Sequence, residues 1–159
     1  MLRNLLILIL LCVVSSFILN RDSAIHSKFN PTGTYKPDIA VVKKDGEIYG
    51  YFGEIRIKMI DDTSIAVSFY VCKGAPNYNS GSFVDTLRYY NKQATYLPPD
   101  DSTCKLKFFF SSKGLTINQY QDNINFGCGF GHGVFADGYY RMISKNIPII
   151  TDLMTEDIF

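Results

Sequence analysis

The sequence has no tryptophan, only two histidines and four cysteines, and just 19% of its 159 residues are charged. Sixteen Lys and Arg stand against fifteen Asp and Glu, a formal net charge of +1. That balance gives no footing to nucleic-acid binding, which needs clustered positive charge to displace phosphate counterions. No Cys-x-x-Cys and no Cys/His cluster occurs, so no zinc site or other metal centre is expected. The Gly-x-Ser-x-Gly nucleophile elbow is missing. The Cys-Trp-Cys spacing of an immunoglobulin sandwich cannot exist without tryptophan. What is abundant is apolar: 47% of residues are hydrophobic, with eleven Tyr and twelve Phe. That excludes a disordered chain, and the aromatic content favours β-structure. The length suits one domain.

The start of the chain reads as a targeting element. Arg3 precedes residues 5–19, which are apolar apart from Ser15 and Ser16. Fifteen residues fall short of the ~20 that a spanning helix wants, and Val14-Ser15-Ser16 supplies small residues for cleavage. Residues 1–19 are therefore a signal peptide, with an N-terminal anchor through residues 5–19 as the alternative. Loss of Arg3 leaves fifteen basic and fifteen acidic side chains, a neutral mature domain. Export implies a periplasmic or secreted protein, without a membrane span unless the signal is retained. The cysteines fit an oxidising compartment. Cys12 lies in the signal; Cys104 shares the apolar face of an alternating run with Leu106 and Phe108, and Cys128 sits between Gly127 and Gly129, where backbones approach closely. A Cys104–Cys128 disulfide follows, worth roughly 3 kcal/mol in the chain-entropy model, with Cys72 left free.

Residues 20–31 are polar and unpatterned, a linker. From residue 32 a period of two dominates. Residues 54–59 alternate without a break; Asp61-Asp62 turns the chain; Ile65, Val67, Phe69 and Val71 then share one face, with Ala66, Ser68, Tyr70 and Cys72 on the other. Residues 73–81 form a loop, residues 83–89 a strand, and Asn91-Lys92 turns into residues 94–97. Residues 104–111 and 115–120 form a further hairpin, and residues 134–142 a last strand. Seven or eight short strands joined by tight turns predict an all-β fold: a small up-and-down, lipocalin-like barrel of about eight antiparallel strands over residues 32–142. Residues 143–159 form a C-terminal tail outside it, with a short helix at 151–157.

The catalytic inventory is thin. His26 falls in the linker, leaving His132, in a glycine-rich turn, as the one credible general base. The paired carboxylates Asp61-Asp62 and Asp100-Asp101 lack a calcium-ligand pattern and read as solvated turns. Candidate ligand- or partner-binding residues are the aromatics Tyr49, Tyr51, Phe69, Tyr89, Phe108 and Tyr139. They either fill the barrel or line a pocket for an apolar or ring-bearing ligand.

Residues 104–108, Gly114-Leu115-Thr116, Cys128-Gly129-Phe130-Gly131 and Asp137-Gly138-Tyr139-Tyr140 together resemble a pattern found in small bacterial cell-envelope domains, some of them attached to LprI-like lysozyme-inhibitor modules. Gly33-Thr34-Tyr35 and Ala94-Thr95-Tyr96 fit the same pattern. The resemblance spans residues 32–142, is most distinctive over the last forty, and implies a periplasmic or surface β-barrel. It supplies no active-site residues. The expected function is a non-enzymatic envelope binding protein, lysozyme-inhibitor-like, whose partner is an envelope protein. The alternatives are a carrier of a small apolar or aromatic ligand and, more remotely, a hydrolase using His132. No cofactor is expected.

Overall fold

The computed structural model describes residues 29–155. The expected signal or anchor, the linker up to residue 28 and residues 156–159 lie outside the described residues. Nine strands are described: β1 (Gly33–Pro37), β2 (Val42–Lys44), β3 (Glu47–Asp61), β4 (Ser64–Gly74), β5 (Ser80–Tyr90), β6 (Gln93–Tyr96), β7 (Lys105–Phe110), β8 (Gly114–Tyr120) and β9 (Gly138–Ser144). A single 3-10 turn, Leu153–Thr155, follows.

All neighbours are antiparallel, in the order β1-β9-β8-β7-β6-β5-β4-β3-β2. Strand β1 also pairs with β3, Gly33 opposite Ile57 and Tyr35 opposite Ile55. This second pairing closes β1 and β3 to β9 into an eight-stranded barrel and leaves β2 as an extra strand on β3. The expected up-and-down barrel is therefore the fold adopted. Closure gives every barrel strand two partners and removes the exposed edges that invite aggregation.

The alternation in the sequence sets which side chains fill the barrel. In β7, Leu106, Phe108 and Phe110 are buried while Lys105 and Lys107 point outward. Inward residues of β3 and β4, Ile55, Ile57, Ile65, Val67 and Phe69, have no exposed surface. Near-parallel rings run through the interior: Phe130 on Phe69 at 5.7 Å, Phe69 on Phe83 at 5.0 Å, and Phe83 on Tyr96 at 3.7 Å. An eight-stranded barrel is just wide enough to be filled in this way.

Cys104 and Cys128 form a disulfide with their Cα atoms 5.1 Å apart, and Cys72 is free and buried. The 73–81 loop is shorter than expected, because β4 runs to Gly74 and β5 starts at Ser80. Gly74 permits this: its φ is +75°, and a Cβ there would meet the Ile48 carbonyl at 2.4 Å. The last strand starts at Gly138 rather than residue 134. Val134 and Ala136 are buried, which imitates strand alternation, but the Ala136 amide donates to the Gln119 side chain instead of a ladder partner.

The described tail packs on the barrel wall. Leu153 is 1% exposed against Tyr70 and Cys72 on the outer face of β4, with Phe52 beside them. The Thr151 amide donates to the buried Ser68 hydroxyl at 2.9 Å, and Arg56 reaches the Ile149 carbonyl. Within the expected 151–157 helix only the 3-10 turn is described.

Antiparallel order places the connections at two ends. The entry end holds residues 29–32, the β3–β4, β5–β6 and β7–β8 turns, and the residues after β9. The loop end holds the β1–β2, β2–β3, β4–β5, β6–β7 and β8–β9 connections.

Candidate functional site

The loop end gathers the features that recognition requires. Its connections, residues 38–41, 45–46, 75–79, 97–104 and 121–137, contain Asp38, Asp45, Asp100, Asp101, Asp122 and Asp137 but no Lys or Arg. Cations flank the connections on the strands: Lys105 lines one hollow with Leu97, Asp122, Ile124 and Asp137, Lys73 donates to the His132 carbonyl at 3.0 Å, and Lys43 and Lys44 share the β2–β3 hairpin with Asp45 and Glu47. Lys36 and Glu54 form an ion pair at 3.5 Å, and Arg141 pairs with Asp38. Among these acidic loops Leu97, Ile124 and Phe126 project with 65%, 69% and 61% of their surface exposed. Leu97 and Ile124 line one hollow together, and Phe126 stands against the His132 ring.

The longest of these loops, β8–β9, is fixed from several sides. The disulfide ties it to the start of β7. Asp101 accepts hydrogen bonds from the Thr103 hydroxyl at 2.7 Å and amide at 3.0 Å and from the Cys128 amide at 2.8 Å. These bonds, led by that of the Thr103 hydroxyl, hold its carboxyl below the usual carboxylate range. Asp61 is held to about 2 at the other end by the Ser64 and Thr63 hydroxyls and the Thr63 amide. Both groups work as turn-closing acceptors. Phe130 inserts from the loop into the aromatic column, and the Tyr140 hydroxyl donates to the Ala136 carbonyl at 2.9 Å.

Two apolar hollows adjoin at this end. One, about 320 Å³, is lined by Pro37, Ile39, Val41, Ile48, Tyr51 and Phe52 among others. The second, about 170 Å³, shares Pro37, Ile39 and Tyr51 and adds Val71, Phe135, Tyr139 and Tyr140. The Tyr51 hydroxyl donates to the Gly133 carbonyl at 2.9 Å and accepts from the Phe135 amide at 3.3 Å, so it pins the β8–β9 loop beside both hollows.

The six aromatics singled out in the sequence do not share one site. Tyr51 and Tyr139 meet in the smaller hollow. Tyr49 is on the β3 surface, 44% exposed. Phe69, Tyr89 and Phe108 are interior residues, 0%, 3% and 0% exposed, and Tyr89 donates to the Phe29 carbonyl at 3.2 Å. His132 is exposed, its ring edge-on to Phe126 at 5.1 Å, while its carbonyl accepts from Lys73 and Asn79. Sequence reasoning missed Pro37, Ile39 and Val41, which lie in the irregular β1–β2 connection where no periodicity marks them. It also missed the segregation of charge, which becomes visible only once each turn is assigned to an end.

No protein-family profile matches the chain, and no curated protein or solved structure does. Among the described residues no helix is long and apolar enough to cross a membrane, and no group of three or more His, Cys, Asp or Glu is placed to hold a metal ion. The arrangement offers shape, exposed apolar side chains and carboxylates held in the loops, with cations on the flanking strands.

Proposed function

We propose that this is an exported, non-enzymatic binding protein of the bacterial cell envelope whose loop end engages a cationic protein, in the manner of a lysozyme inhibitor. The observation that carries this reading is the pairing of five carboxylates, Asp45, Asp100, Asp101, Asp122 and Asp137, with exposed Leu97, Ile124 and Phe126 in connections without a Lys or Arg. Opposite potentials steer a partner to its site and set register, while desolvated apolar side chains supply contact area. A near-neutral domain loses little by this, because only the facing end matters within the Debye length, ~10 Å at 0.1 M salt. The disulfide and the Asp101 bonds hold the loops in place, which limits the ordering cost of association.

The test is inhibition of a cationic lysozyme by the intact protein, with and without Asp100→Asn and Asp122→Asn. Saturable inhibition that weakens in the double variant supports the reading. No inhibition at micromolar excess removes the lysozyme partner. A second reading, carriage of a small apolar ligand, draws on the 320 Å³ hollow beside Tyr51, which is at the lower limit of small-molecule sites. Native mass spectrometry of protein recovered from its own envelope separates the two: a retained small adduct favours the carrier, a bare protein the partner-binding domain.

A further inference from the structure

We infer that the entry end of the barrel is a docking surface for an anionic phospholipid bilayer. This end is opposite the acidic loops, so the inference stands apart from the partner reading and goes beyond it.

The covalent layout comes first. The chain reaches the barrel at Phe29, and the Tyr35 hydroxyl donates to the Pro31 carbonyl, fixing the approach at this end. In the sequence the apolar run 5–19 precedes Phe29 by nine residues, 20–28, whose extended reach is at most ~30 Å. Where that run is retained as an anchor, its tether joins the barrel at the entry end.

The charge fits that surface. Lys58, Arg88, Lys92, Lys113 and Lys145 are exposed at the entry-end turns and strand ends, against Asp61 and Asp62, with Asp38, itself paired to Arg141, sharing a hollow with Lys113 and Lys145. Asp61 is already occupied by the Thr63 and Ser64 hydroxyls. The Lys92 ammonium lies 5.3 Å over the Phe29 ring, which keeps a cation at the point of chain entry. Clustered lysines of this kind are drawn to anionic headgroups within a Debye length of the surface.

The shape fits as well. A basin of about 420 Å³ opens here with Phe29, Met59, Met142 and Ile147 in its walls and Lys58 and Lys145 among the lining residues. Around it Ile60, Tyr90 and Ile143 stand 53%, 71% and 53% exposed. Ammonium groups beside methyl and thioether groups match a phosphate headgroup above the start of an acyl chain. Docked in this way, the barrel holds its acidic loops away from the bilayer.

The absence of tryptophan provides the test, since one introduced indole is the sole reporter. Full-length Tyr90→Trp (entry end) and Leu97→Trp (loop end) are mixed with vesicles of brominated phosphatidylcholine, alone or with phosphatidylglycerol. At low salt the Trp at 90 is expected to blue-shift and be quenched on the anionic vesicles only, and the Trp at 97 on neither. Lys58→Gln and Lys145→Gln are expected to weaken docking by about fivefold each, with unaltered thermal transitions confirming that the variants are folded. Equal quenching at 90 on neutral vesicles would assign the contact to the apolar run alone and overturn the inference. Quenching at 97, no quenching at 90, or docking unchanged by the two lysine substitutions would overturn it too.

Discussion

Position 81 shows how much a single residue controls here. A Cβ on Gly81 would lie 2.3 Å from Cγ and 2.4 Å from Cδ1 of Phe130, a ring held at 5% exposure in the aromatic column. The glycine is the space into which the loop end plugs. Gly81→Ala is expected to destabilise the fold by about 1–3 kcal/mol, the usual range for overpacking, read as a lower urea midpoint at unchanged m-value. In a Phe130→Ala background the clash has no partner, so the second substitution should cost far less than it does alone. Additive costs would show that the ring does not occupy that space. Other single residues were legible in advance. The flanking glycines and the alternating run announced the Cys104–Cys128 disulfide, and the paired aspartates announced turns that Asp61 and Asp101 close through Thr63 and Thr103. Gly81 was not legible, because its reason is a ring 49 positions away in sequence.

Among the elements, the strands follow from local pattern and the tail does not. Unbroken alternation in residues 54–59 and 65–71 specifies the β3–β4 hairpin, whose register places Ile55 opposite Phe69 and Ile57 opposite Val67. A period of two places side chains on faces but cannot report what covers the outer one. The clue lay in β4, where Ser68, Tyr70 and Cys72 are buried although they face outward. The tail is what covers them. Leu153→Ala is therefore expected to cost about 2–5 kcal/mol, as a buried leucine does, and to speed the reaction of Cys72 with a soluble thiol reagent. An unchanged thiol rate in a destabilised variant would mean that the tail does not shield Cys72. The start of β9 departs from the sequence pattern for the converse reason: buried Val134 and Ala136 alternate without belonging to a ladder.

For the whole molecule, a near-neutral net charge conceals two unlike ends, and no composition summary could reveal that; the candidate site was legible only as residue types until closure assigned each turn. Closure has a titratable consequence too. Burial raises the phenols of Tyr35, Tyr89, Tyr96 and Tyr140 above their ordinary value of 10.0, and burial followed by the neighbouring Cys72 pushes Tyr70 up to about 12. These tyrosines lie on β1, β4, β5, β6 and β9, around much of the barrel wall. The native state holds their protons more tightly than the unfolded chain, so their contribution is fully present below pH 10 and is lost as pH rises through the native values. Stability is therefore expected to stay level on approach to pH 10 and to fall steeply from there toward pH 12 and beyond. Tyrosinate absorbance from the buried set should develop in step with loss of β-structure by circular dichroism. If the buried phenols ionised smoothly near pH 10 with the strands intact, the barrel would be open to hydroxide and its wall could not be a single cooperative unit.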